Sequence, residues 1–128
     1  MNLIKMMIET LGQAPNLFDQ TNYHIHEVHH VHKKDAPSGT ALAWKNWLGQ
    51  QAEVTSERTG DVVGDHQLEL QTPFEKISLR HQALDRRIFA QGALWGLERT
   101  LKNDLGPGLH VFQDVAIREM MGTAKKSG

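Results

Sequence analysis

The sequence contains no cysteine, which removes disulfides, thiolate metal ligands and cysteine nucleophiles at once. No stretch approaches the ~20 consecutive apolar residues that a membrane span requires. The opening Met1–Leu11 segment carries Glu9 inside its apolar run and lacks the small-residue cleavage pattern of a secretory leader. A cytoplasmic location is therefore expected, with no membrane partner. There is no Gly-x-Gly-x-x-Gly loop, so nothing in the chain reads as a cradle for a dinucleotide's phosphates. Charge of one sign is lacking too: 14 basic against 15 acidic residues leave a net charge of −1. That balance gives no footprint of a nucleic-acid binder.

What remains is an ordinary globular composition, 39% hydrophobic and 23% charged over 128 residues, the size of a single domain. Apolar residues Leu3, Ile4, Met7, Ile8 and Leu11 recur at helical spacing and stop at Gly12, predicting a helix over 2–12. Pro15, Asn16 and Asp19 mark a loop through residue 21. Alternation from Asn22 to His30 predicts a strand, with Ile25, Glu27 and His29 on one face and His24, His26, Val28 and His30 on the other. Ser38 is a natural N-cap for a helix that ends near Gly49. Strands follow at about 53–58, 65–72 and 75–83, the last two joined by a turn at Thr72–Pro73. A long helix over 85–101 has the apolar stripe Phe89, Ala90, Ala93, Leu94, Leu97 and Leu101. After a break at 103–108, a short element lies around 111–120. This order predicts an α+β fold, a mixed four-stranded sheet with helices on one face.

Chemistry concentrates in residues 27–41, EVHHVHKKDAPSGTA. Imidazole exchanges protons near neutrality, ammonium groups attract anions, and a helix start offers backbone N–H donors. His29 and His30 lie where a strand ends, and Lys33 and Lys34 precede the helix start at Ser38, Gly39 and Thr40. That combination suits holding a small carboxylate and protonating its carrier. Blander readings compete: one histidine in the core and one on the surface, adjacent lysines in a solvated loop, and a simple helix cap. A His-rich metal site is a third reading. However, His24 and His32 are too far apart along a strand, at ~3.3 Å per residue, to share an ion. Only the pairs His24/His26 and His30/His32 are close enough, and each needs further ligands. No metal is expected.

These residues also carry a resemblance. The 27–41 block is similar to the Glu-x-His-His-x-x-Lys-x-Asp-Ala-Pro-Ser-Gly-Thr-Ala motif of the dihydrodipicolinate (4-hydroxy-tetrahydrodipicolinate) reductases of lysine and diaminopimelate biosynthesis. The Arg58–His66 block, RTGDVVGDH, resembles that family's Arg-x-Gly-x-x-x-Gly-x-His turn. The His81–Ala93 block, HQALDRRIFAQGA, resembles its helix-start motif. By this resemblance His29 is the acid/base residue and Lys33 a second proton donor. His30, Ser38, Gly39, Thr40 and Lys33 bind the substrate's carboxylates, and Arg86 supports the site. The family reduces a cyclic imine dicarboxylate with NADPH or NADH, whose Rossmann domain is absent from these residues.

Residues 1–21 are accordingly expected to be a remnant of a linking helix and loop, and 22–128 a substrate-binding and oligomerisation domain. The chain is expected to be inactive alone and to form a homotetramer or dimer through its sheet face. The resemblance implies this assembly, and an exposed apolar face of Leu68, Leu70, Ile77 and Leu79 would need such a cover. A non-catalytic oligomerisation or binding module remains the alternative, alongside a His-rich metal-binding domain.

Overall fold

The computed structural model describes residues 2–13, 20–102 and 105–124. Most of the loop expected through residue 21, and residues 103–104 of the break after the long helix, fall outside them. Eight elements follow in the order α1 (Asn2–Gly12), β1 (Asn22–His29), α2 (Gly39–Leu48), β2 (Ala52–Arg58), β3 (Gly64–Gln71), β4 (Lys76–Ala83), α3 (Arg87–Leu101) and α4 (Phe112–Ala124). Residues 3–85 form one compact unit and residues 86–128 a second.

The first unit holds a four-stranded mixed sheet in the order β2-β1-β3-β4. Strand β1 pairs parallel with β2, as a crossover through α2 allows, and antiparallel with β3, which pairs antiparallel with β4. The turn between β3 and β4 is closed by Thr72, whose N–H donates to Glu75 O at 3.0 Å. Its hydroxyl accepts from the N–H groups of Phe74 and Glu75. Helix α2 begins at the Ser38 cap, whose Oγ accepts from Ala41 N at 3.2 Å, and ends at Gly49 with φ 64°.

Strand alternation decides which side chains meet the helices. Ile8 of α1 and Ala41, Trp44 and Leu48 of α2 make one buried cluster with Tyr23, Ile25, Leu68 and Leu70. Each large side chain so buried contributes about 1.5–3 kcal/mol. This corrects the ground given for assembly: Leu68 and Leu70 are 0% and 1% exposed, with Ile77 and Leu79 packed against the same cluster. Alternation shows that a strand has two faces, but it does not say which one the helices take. The other face presents His24, His26, Thr55, Glu57, Asp65 and Arg80 and is polar. There, Thr55 Oγ1 lies 2.8 Å from His24 Nε2 and 2.9 Å from His26 Nδ1, and Asp65 pairs with Arg80.

Helices α1 and α2 meet at Gly12, where a Cβ would stand 1.8 Å from the carbonyl oxygen of Leu48. Gln50 Nε2 donates to Gly12 O at 2.9 Å across the same junction. Replacing Gly12 with alanine is expected to destabilise the unit by about 1–3 kcal/mol in urea unfolding, because neither backbone has room to move. A change within about 0.5 kcal/mol would rule out this close approach.

In the second unit, α3 starts two residues later than expected, with Arg86 as its N-cap. Its apolar stripe is not covered: Phe89, Leu94 and Leu97 are each more than half exposed. Trp95 packs edge-on against Phe112 of α4, and Arg99 pairs with Glu119.

Candidate active site

One end of the sheet gathers the ionisable groups. Parallel register sets His29, the last residue of β1, beside Arg58, the last of β2. Antiparallel register sets Glu27 beside His66 of β3, which begins at Gly64. Glu27, His29 and His66 lie on the helix-covered face, and all three are buried.

Glu27 is the centre of this arrangement. Its Oε1 accepts from Arg58 Nη2 at 2.8 Å and from the N–H of Ser38 at 3.1 Å. Its Oε2 accepts from Arg58 Nη1 at 3.0 Å and from Nδ1 of His29 in a short contact. Burial alone would raise its pKa, but hydrogen bonds from Arg58, Ser56, His29 and Ser38 outweigh that and bring it down to about 2. The forked guanidinium–carboxylate pair is the geometry that compensates a buried charge best.

His66 is buried in a different way. Its Nε2 lies 3.1 Å from Ser38 Oγ, which also accepts from Ala41 N. Loss of solvent, followed by the nearby His29, pushes its pKa down to about 4, so the ring is neutral at pH 7. Its ring stands edge-on to His29 at 5.0 Å and tilted against Trp44 at 5.6 Å.

Beyond β1 the chain turns sharply. His30 N donates to Val62 O and Lys33 N to His30 O, leaving His30 half-buried. Lys33 Nζ pairs with Asp35 Oδ1 at 2.8 Å. The Lys33 ammonium, and to a smaller degree the N–H of Gly39, hold the Asp35 carboxyl below its ordinary pKa. Gly39 and Thr40 open α2, and no side chain approaches the Cβ position of Gly39.

The structure thus brings His29, His30, Lys33, Ser38, Gly39 and Thr40 to one end of the sheet. Arg86 belongs to the second unit, where it precedes α3. Glu27, Arg58 and His66 were read in sequence only as motif, turn or sheet residues. Glu27-x-His29 on one strand face was the available signal for the first; Arg58 and His66 depend on strand register.

Among the described residues, Glu27, His29 and His66 are the cluster close enough to share a cation, their ligand atoms lying within 4.8 Å of one another. Yet Arg58 already occupies both oxygens of Glu27, and the Ser38 hydroxyl faces Nε2 of His66. A metal would have to displace a guanidinium, so the donor set fits proton handling better than metal binding. His24 and His26 are outside this cluster, turned to Thr55 on the open face.

A family model described as "Dihydrodipicolinate reductase, C-terminus" matches residues 3–116. The 4-hydroxy-tetrahydrodipicolinate reductase of Thermosipho africanus is 36% identical over 112 residues, covering 88% of this chain and 51% of the relative. That of Xylella fastidiosa strain M12 is 43% identical over 112 residues, covering 85% and 45%. The chain therefore spans about half the length of the curated relatives it matches. Among solved structures, the dipicolinate-bound dihydrodipicolinate reductase of Paenisporosarcina sp. TG-14 shares the fold. It has a TM-score of 0.62 and 20% identity, over 77% of this chain and 46% of that one. With the match running through both the sheet and its end, the chain belongs to the dihydrodipicolinate reductase family, as a C-terminal domain.

Proposed function

We propose that this chain is the substrate-binding and proton-donating domain of a 4-hydroxy-tetrahydrodipicolinate reductase of lysine and diaminopimelate biosynthesis. The observation that carries this reading is the convergence of His29 and the N-cap of α2 on Glu27 at one end of the sheet, with Lys33 on the connecting loop. A cyclic dicarboxylate needs cationic and N–H donors for its two carboxylates. In this reading they are Lys33, His30, Ser38, Gly39 and Thr40. Hydride addition to a conjugated imine leaves an electron-rich enamine, which takes a proton from His29, with Lys33 as second donor.

NADPH or NADH supplies the hydride in this chemistry. The residues here do not fit that group, since no glycine-rich phosphate loop is present, and no contact to it is assigned. We accordingly expect no turnover from this chain alone. Assembly as a homotetramer or dimer, also part of this reading, would use the polar open face of the sheet. No described helix is long and apolar enough to cross a membrane.

Calorimetric titration with pyridine-2,6-dicarboxylate tests the reading. One molecule should bind per chain, and Lys33→Ala should weaken binding about tenfold, the worth of one charge-assisted hydrogen bond. No heat from the wild type would overturn the substrate assignment.

A further inference from the structure

We propose that Glu27 and Arg58 are positioning residues that lock His29 in one tautomer, its Nδ1 proton held by Glu27 and its Nε2 presented for proton exchange. The proposal rests on the reading of His29 as the acid, and it names the groups that make His29 act through one nitrogen only.

The argument is one of hydrogen-bond inventory. An ionised carboxylate has only acceptors, so each partner of Glu27 must donate. Arg58 and the Ser38 N–H are unconditional donors, because a guanidinium keeps its protons and a backbone amide has no alternative. A Ser56 hydroxyl can only donate to the carboxylate, and Nδ1 of His29 must then carry its proton as well. Glu27 stays ionised through the neutral range, its pKa lying at about 2. Whether His29 is neutral or charged, Nδ1 is protonated, so any proton gained or lost is on Nε2.

Two neighbours complete the device. Gly64 faces that nitrogen without a side chain, and a Cβ there would stand 3.2 Å from Nε2. His66 is hydrogen-bonded to Ser38, and burial holds its pKa low, which makes it a poor base. The Ser38 N–H on Glu27 also ties the imidazole to the cap of α2. One buried carboxylate thereby orients both the acid and the helix start assigned to the carboxylates.

Long-range ¹H–¹⁵N NMR of the histidine rings in the full 128-residue chain reads the tautomer directly. In wild type, the neutral form of His29 should show a protonated Nδ1 and a bare Nε2. In Glu27→Gln the amide can turn either its oxygen or its NH₂ to the ring. A tautomer mixture is expected, with about tenfold weaker binding of pyridine-2,6-dicarboxylate. A wild-type His29 protonated on Nε2 overturns the proposal, as does an unmixed Nδ1–H tautomer in a folded Glu27→Gln. If that variant does not fold, the wild-type tautomer alone decides. Absence of dicarboxylate binding by wild type, with the Nδ1–H tautomer seen, would overturn the substrate reading and leave the lock standing.

Discussion

Replacing Arg58 with methionine is expected to destabilise the first unit by about 3–5 kcal/mol, the cost of stranding a buried charge without its partner. Glu27 has no solvent exposure, and Arg58 supplies a hydrogen bond to each of its carboxylate oxygens. Methionine keeps much of the arginine stem's volume, so the loss reports charge rather than packing. Urea unfolding measures it. The double variant Arg58→Met with Glu27→Gln should recover a large part of the loss, because a neutral amide has less to lose in a dry site. If the single variant loses less than about 1 kcal/mol, the pair behaves as an exposed salt bridge and the account of the site is wrong.

Acid is expected to unfold this unit in two successive windows. His66 has a folded pKa of about 4 against 6.5 for the free side chain, so the unfolded chain takes up a proton that the folded one refuses. Stability from this group is complete above pH 6.5 and drains away as pH falls to about 4. Glu27 follows, with a folded pKa of about 2 against 4.5; its contribution is complete above pH 4.5 and lost on the way down to 2. At ~1.4 kcal/mol per pH unit, each window removes about 3 kcal/mol, against a total of about 5–15 for a typical domain. Asp65, held low chiefly by its hydrogen bonds from Arg80, adds to the second loss. Urea midpoints recorded from pH 7.5 to pH 3 should show both slopes. His66→Gln, which keeps an acceptor for Ser38 but does not titrate, should flatten the first. Persistence of that slope in the variant would assign it to another group.

Much of this unit was legible in the sequence because its signals are local. Period-two alternation placed Ile25, Glu27 and His29 on one face of β1, and Ser38 and Gly49 marked the ends of α2. That His29, Lys33 and Thr40 lie near one end of the sheet followed from their closeness along the chain. What escaped lies 31 to 39 residues away from its partner. Arg58 reaches Glu27, and His66 stands opposite it, only because of strand register. A one-residue slip in either pairing would have turned those side chains to the open face. Leu68 and Leu70 escaped for a related reason. Their alternation is plain, but their cover comes from Ile8 and Trp44, which belong to separate helices.

The pairing of Lys33 with Asp35 has a consequence for selectivity. Asp35 is a tethered anion that already holds the ammonium and the Gly39 N–H, two donors that an incoming carboxylate would use. Binding there is therefore an exchange, one anion for another, rather than the filling of a vacant cradle. A tethered competitor acts at a high effective concentration, in the millimolar range for a short flexible link. Under the proposed function, a ligand with a single carboxylate would gain little by such a swap. A rigid ligand with two carboxylates would anchor one elsewhere and make the second exchange intramolecular, so the loop would favour dianions.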